Sequence, residues 1–111
     1  MSGPVECRAA REEDLEGILA LYRQLNPEDP PLDRPAALSI WRESASRGAT
    51  EYFVAVQDGA VVSSCCVSVI PNLTRGGRPY AMIENVITDE ARRGRGLGRR
   101  VVLAAVESAR G

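Results

Sequence analysis

The sequence predicts a single α/β domain in which one strand and two helices precede three strands and a closing helix. Three observations carry that prediction. Leu15, Ile18, Leu19, Tyr22 and Leu25 recur at helical spacing. From Glu51 the texture turns β-branched and aromatic, broken once by Asp58-Gly59. A glycine-arginine stretch then divides the last strand from a second amphipathic pattern. At 111 residues and 44% hydrophobic composition, the chain is sized for one modest core.

Val5 to Arg8 reads as the opening strand. The first helix follows the acidic lead-in Glu12-Glu13-Asp14, which complements the positive end of the helix dipole. Three prolines between Pro27 and Pro31 stop it. Asp33 stands at the N-cap position of a second helix that reaches about Arg47, with Gly48 to end it. Trp41 lies in that helix beside Ala37, Ile40 and Ala45 and reads as core, with a cleft wall as the alternative. Tyr52 to Val56 and Ala60 to Ile70 form a hairpin around Asp58-Gly59. The turn from Pro71 to Pro79 leads into a further strand, about Tyr80 to Thr88, apolar enough to be covered on both faces. The last helix starts near Gly96, with Leu97, Val101, Ala104 and Ala105 on one stripe.

Composition removes several chemistries. With 14 basic and 15 acidic residues the net charge is −1, so no general basic field exists for nucleic acid. All basic residues are arginine, and there is neither a lysine nor a histidine. A Walker lysine, a Schiff-base lysine, histidine acid–base schemes and the usual zinc sites therefore each lose an essential member, and no metal site is expected. Cys7, Cys65 and Cys66 are an odd number and read as reduced thiols. With no signal-peptide pattern and no apolar run of membrane-spanning length, the expectation is a cytoplasmic protein with no membrane partner.

The stretch from Arg92 to Arg100, RRGRGLGRR, packs five arginines and three glycines into nine residues. Between a strand and a helix, its glycines let the backbone approach an anion, and the helix's first N–H groups have no internal partners. The spacing is neither the dinucleotide Gly-x-Gly-x-x-Gly nor a Walker motif. Written as Arg93-x-x-Gly96-x-Gly98, it resembles the Arg/Gln-x-x-Gly-x-Gly/Ala signature of the GNAT superfamily of acyl-CoA-dependent N-acyltransferases. Ile83 to Gly98 looks like that family's strand, turn, pyrophosphate loop and helix start, and the order of elements upstream matches it too.

The resemblance implies a GNAT fold, α/β (α+β), with a mixed, mostly antiparallel sheet flanked by helices, over a single domain 1–111. It implies acetyl-CoA as co-substrate. Carried over by position, Val86, Ile87 and Thr88 meet the pantetheine and thioester, while Arg93, Gly94, Arg95, Gly96, Leu97, Gly98 and Arg99 hold the pyrophosphate. The implied reaction is direct attack of a primary amine on the thioester. Glu84 interrupts an otherwise apolar strand and is the candidate general base, with pairing to an arginine such as Arg78 or substrate binding as the alternatives. The main-chain N–H of Val86 is the candidate oxyanion donor. Alternation puts Asn85 on the face opposite Glu84 unless a bulge intervenes, and its expected role is to satisfy backbone groups.

Family members usually continue with a strand, a helix and two closing strands, and one of those elements often supplies a tyrosine that protonates the departing thiolate. This sequence ends at Arg110-Gly111. The expectation is a truncated or incompletely represented domain, either a fragment of a longer polypeptide or a natural C-terminal truncation, with a homodimer or a partner chain supplying the missing strands as the further alternative. Tyr22, Tyr52 and Tyr80 are the phenols present, and each reads as packing. Glu28 and Asp29, in the loop between the helices, could greet a cationic amine or simply be solvated. A non-catalytic coenzyme A-binding or interaction module is the alternative function. Nucleic-acid binding is not expected, because aromatic residues do not interleave the arginines.

Overall fold

The computed structural model describes residues 3–48 and 50–110. The expected domain limits at Met1 and Gly111 lie outside the described residues. The elements are β1 (Val5–Ala9), α1 (Leu15–Leu25), α2 (Arg34–Arg47), β2 (Thr50–Gln57), β3 (Ala60–Ile70), β4 (Tyr80–Thr88) and α3 (Leu97–Arg110). The strands form one sheet in the order β1-β2-β3-β4, and every neighbouring pair is antiparallel.

The sequence signals act locally as expected. Asp33 caps α2 by accepting the Ala36 N–H at 2.9 Å, and Gly48 closes it in the left-handed region. Asp58 and Gly59 both take positive φ, the geometry that matches the twist of a tight hairpin. The acidic lead-in forms a short 3₁₀ turn ahead of α1. Asp14 is buried there in a bidentate pair with Arg8, at 2.7 and 3.2 Å, and accepts the Arg11 N–H at 2.7 Å.

The two faces of the sheet are covered differently. On one, Leu97, Val101 and Ala105 of α3 pack on Phe53, Ala55, Val62, Cys65 and Val67, forming the main core. On the other, α1 brings the buried side chains of Ile18 and Leu21 over the sheet, and α2 lies against β2. Trp41 stacks on Tyr52 with ring centroids 5.3 Å apart. Together with Leu15, Ile18, Tyr22 and Leu32 they wall an apolar cavity of about 100 Å³, so Trp41 takes the cleft-wall reading.

β4 departs from expectation. It is not covered on both faces: Tyr80, Ala81, Met82, Glu84, Asn85 and Val86 are exposed, and only Ile87 is buried. The reason is position. β4 is the edge strand of the sheet, and α1 and α3 both reach it but leave most of its side chains exposed.

Candidate acyl-transfer site

The site is organised by an irregularity in β4. Cys66 pairs with Glu84 and Ser64 with Ile87, so one residue of β3 faces two of β4, Asn85 and Val86. That is a β-bulge. Asn85 carries it with φ +53, in the left-handed region that Asn tolerates better than most residues.

The bulge resets which side chains share a face. Ile83 packs into the α3 core, so Glu84 points to the side of α1 and α2. Beyond the bulge, Val86 and Thr88 lie beside Gly98 at the start of α3, while Ile87 joins Glu84 on the α1 side. For Asn85 the bulge exception to alternation therefore applies, and its expected role of satisfying backbone groups is corrected. Its amide donates to Cys66 Sγ at 3.9 Å, and no backbone group is among its side-chain partners.

Glu84 forms no ion pair and no side-chain hydrogen bond among the described residues, so the alternative pairing with Arg78 is not made. Its carboxylate is exposed on the α1 side of β4, next to Cys66. Burial, and then the Glu84 charge, push the Cys66 thiol above its ordinary range. On the same side the Tyr22 hydroxyl is buried without a hydrogen-bond partner, and burial is the main reason its phenol is held well above the usual value. Glu28 and Asp29 sit in the exposed loop after α1, and Asp29 lines a groove with Tyr22, Arg23 and Asn26.

After β4 the chain turns through Asp89 to Gly96 into α3. Gly94 and Gly96 adopt φ +83 and +76, and a Cβ on either would meet nothing within 4 Å. The turn thus presents bare backbone to open space, which suits an approaching anion. Gly98 has a different task. A Cβ there would come within 3.3 Å of Thr88 Oγ1, so its absence lets α3 start tight against the end of β4. Leu97 is buried and anchors the helix. Arg93 donates from Nε to the Thr88 carbonyl at 3.2 Å and braces the turn. Arg93, Arg95 and Arg99 have no ion-pair partner among the described residues.

Two residues that sequence reasoning did not single out, Gln24 and Ser63, hold this turn. Gln24 of α1 donates to Asp89 at 3.1 Å and accepts the Glu90 N–H at 2.9 Å. The hydrogen bond from Gln24 and then the Arg92 guanidinium overcome a small burial effect, keeping the Asp89 carboxyl below the usual range. Ser63, fully buried in β3, donates to the Ile87 carbonyl at 3.0 Å and meets Thr88 Oγ1 at 3.0 Å. These contacts join residues 24 to 66 positions apart in sequence, and no local pattern announces them.

A bulged strand, a glycine turn of bare backbone and a tightly seated helix N-terminus, on an antiparallel sheet flanked by helices, define an acyl-CoA N-acyltransferase domain. The chain matches the model of the acetyltransferase (GNAT) family over residues 16–111. It is 34% identical over 107 residues to a glucosamine 6-phosphate N-acetyltransferase of Trypanosoma brucei brucei, covering 96% of this chain and 72% of that protein. It is 38% identical over 98 residues to glucosamine 6-phosphate N-acetyltransferase 1 of Oryza sativa subsp. japonica, covering 86% of this chain and 59% of the relative. A solved putative acetyltransferase from Agrobacterium tumefaciens str. C58 superposes with a TM-score of 0.88 at 47% identity, over 96% of this chain and 74% of that one. The chain belongs to the GNAT family, and acetyl-CoA-dependent N-acetyl transfer, the expected enzyme class, is the class of its named relatives. Among the described residues no helix is long and apolar enough to cross a membrane.

Proposed function

We propose that this chain transfers the acetyl group of acetyl-CoA to the amine of a hexosamine 6-phosphate, with Glu84 as general base. The acceptor is suggested by two relatives at 34% and 38% identity that carry the name glucosamine 6-phosphate N-acetyltransferase. The observation that carries the reading is the bulge at Asn85. Glu84, before the bulge, points to the side of α1 and α2, and the bulge puts Val86 and Thr88 on the other face, beside the start of α3.

Acetyl-CoA supplies the activated thioester carbonyl. The backbone of Gly94, Arg95, Gly96, Leu97 and Gly98 receives the pyrophosphate, with Arg95 and Arg99 adding charge and Arg93 bracing the turn from beneath. Val86, Ile87 and Thr88 run beside the pantetheine arm, and the Val86 N–H donates to the oxyanion. Glu84 accepts the proton that the acceptor ammonium must lose before its nitrogen attacks, directly or through water. The N–C bond forms first and moves the carbonyl electron pair onto the oxyanion; as that pair returns, the C–S bond breaks, its electrons leave with the thiolate, and the nitrogen's second proton passes to the thiolate or to water.

The test is Glu84→Gln with acetyl-CoA and glucosamine 6-phosphate. Turnover should fall by at least about a hundredfold, the usual scale for losing a general base, with coenzyme A affinity within about twofold of the parent. Unchanged kcat would remove Glu84 as the base. A parent chain that binds coenzyme A but acetylates no amine would favour the non-catalytic binding module.

A further inference from the structure

The turn between β3 and β4 holds a second cationic cleft that the acyl-transfer reading does not use. Its walls are Asn72, Thr74, Arg75, Arg78, Pro79 and Tyr80, and its volume is about 650 Å³. Between Asp58 and Glu84 the sequence has no acidic residue, so this hairpin is locally positive in a chain of net charge −1. Neither Arg75 nor Arg78 has an ion-pair partner among the described residues.

The cleft is built rather than loose. Asn72 Oδ1 accepts from the Thr74 N–H at 3.2 Å and meets the Thr74 hydroxyl at 3.0 Å. The Gly77 N–H bonds the Thr74 carbonyl at 3.0 Å. Arg75, Gly76 and Gly77 all take positive φ, so the tip folds tightly and brings both arginines to one opening. Thr74 engages the Asn72 side-chain carbonyl oxygen, so the cleft's remaining donors are the two guanidinium groups, which carry its positive charge, with the Asn72 amide and the Tyr80 hydroxyl beside them.

The cleft also faces the right way. Tyr80, which lines it, shares a face of β4 with Met82 and Glu84, because the bulge lies beyond Glu84. Four residues of strand put the Cα atoms of Tyr80 and Glu84 about 13 Å apart. That is bridged by a sugar ring with its phosphate arm on one side and an extended arginine on the other. Guanidinium groups bind phosphate by paired, charge-assisted hydrogen bonds.

We infer that Arg75 and Arg78 form the subsite for the phosphate of the acceptor, holding a phosphorylated amino sugar with its amine toward Glu84. This rests on the acceptor class proposed above, and it adds the residues that select for the phosphate.

The experiment compares glucosamine 6-phosphate with glucosamine for the parent chain, Arg75→Ala, Arg78→Ala and Arg78→Lys. Each alanine variant should raise KM for the phosphorylated sugar on the order of tenfold and erode its advantage over glucosamine, with lysine restoring part of it. A preserved preference in both alanine variants of an active enzyme would overturn the subsite and leave the acetyl-transfer reading standing. Loss of coenzyme A affinity in Arg78→Ala would assign the cleft to a coenzyme A phosphate and also overturn it. If the parent turns over neither sugar, the acceptor reading fails, and an NMR titration with inorganic phosphate, coenzyme A present, still decides the subsite. Shifts at Gly76 and Gly77 that vanish in Arg78→Ala would support it, and their absence would refute it.

Discussion

Replacing Gly96 by Ala separates the cradle reading from a trivial loss of stability, because the fold supplies a matched control. Gly96 and Gly59 share φ +76, and a Cβ on either would meet nothing within 4 Å. Each alanine is therefore expected to destabilise by about 1 to 2 kcal/mol through backbone strain alone. In a domain of this size that is a Tm loss of roughly 4 to 8 °C for either variant. In the proposed function only Gly96 lies where backbone N–H groups receive a pyrophosphate. A methyl group there should remove one or two charge-assisted hydrogen bonds, each about 1.5 to 3 kcal/mol, and raise the coenzyme A Kd by at least about tenfold. The assay is calorimetric titration of coenzyme A well below either Tm. Gly59→Ala should bind like the parent. Equal weakening in both variants would make the effect one of stability, and normal binding by Gly96→Ala would refute the cradle.

Other expectations follow from the buried groups. Burial works to raise the Asp14 carboxyl, but hydrogen bonds from Arg8 and the Arg11 N–H outweigh it and hold it below the usual range. A depressed folded pKa contributes stability that is full above the unfolded value near about 4 and is lost as pH falls through the folded one. Asp14→Asn should therefore cost about 2 to 3 kcal/mol near neutral pH and show a shallower acid limb, measured by urea unfolding across pH. Burial raises the fully buried Cys65 thiol to about 11, so at pH 8 about one molecule in a thousand carries the thiolate. Alkylation at pH 8 should leave Cys65 unlabelled until denaturant is added, and rapid native labelling would contradict its burial. At Asn85, with φ +53, Gly should be tolerated, whereas Val should lose about 1 to 3 kcal/mol and depress turnover, as read by thermal melts and kcat.

Most of the architecture was legible because its signals are local. Asp33 and Gly48 delimit α2, Asp58-Gly59 closes the hairpin, and the run from Tyr80 to Thr88 is the strand expected. The glycine spacing after it was legible too, since positive φ at Gly94 and Gly96 is a requirement a sequence can display. What stayed hidden depends on tertiary position. An apolar strand reads alike at a sheet's edge or centre, so β4 was expected to be covered. Gln24 and Ser63 brace the turn from distant elements with side chains that look unremarkable in place.

The bulge is the instructive case, because it changes the chemistry that a pattern can support. Strict alternation over Ile83 to Thr88 would put Ile83, Asn85 and Ile87 on one face and Glu84, Val86 and Thr88 on the other. One extra residue with φ +53 instead separates Glu84 from Val86 and Thr88, which stay against Gly98 at the start of α3. The proposed roles, a carboxylate reaching toward an acceptor from one side and a strand end seated on the start of α3 from the other, need that break in register. Asn at position 85 is the sequence's one hint of it, since Asn enters the left-handed region more readily than the β-branched residues common in strands. A regular β4 would have put Glu84 on the same face as Val86 and Thr88, the residues that meet the start of α3.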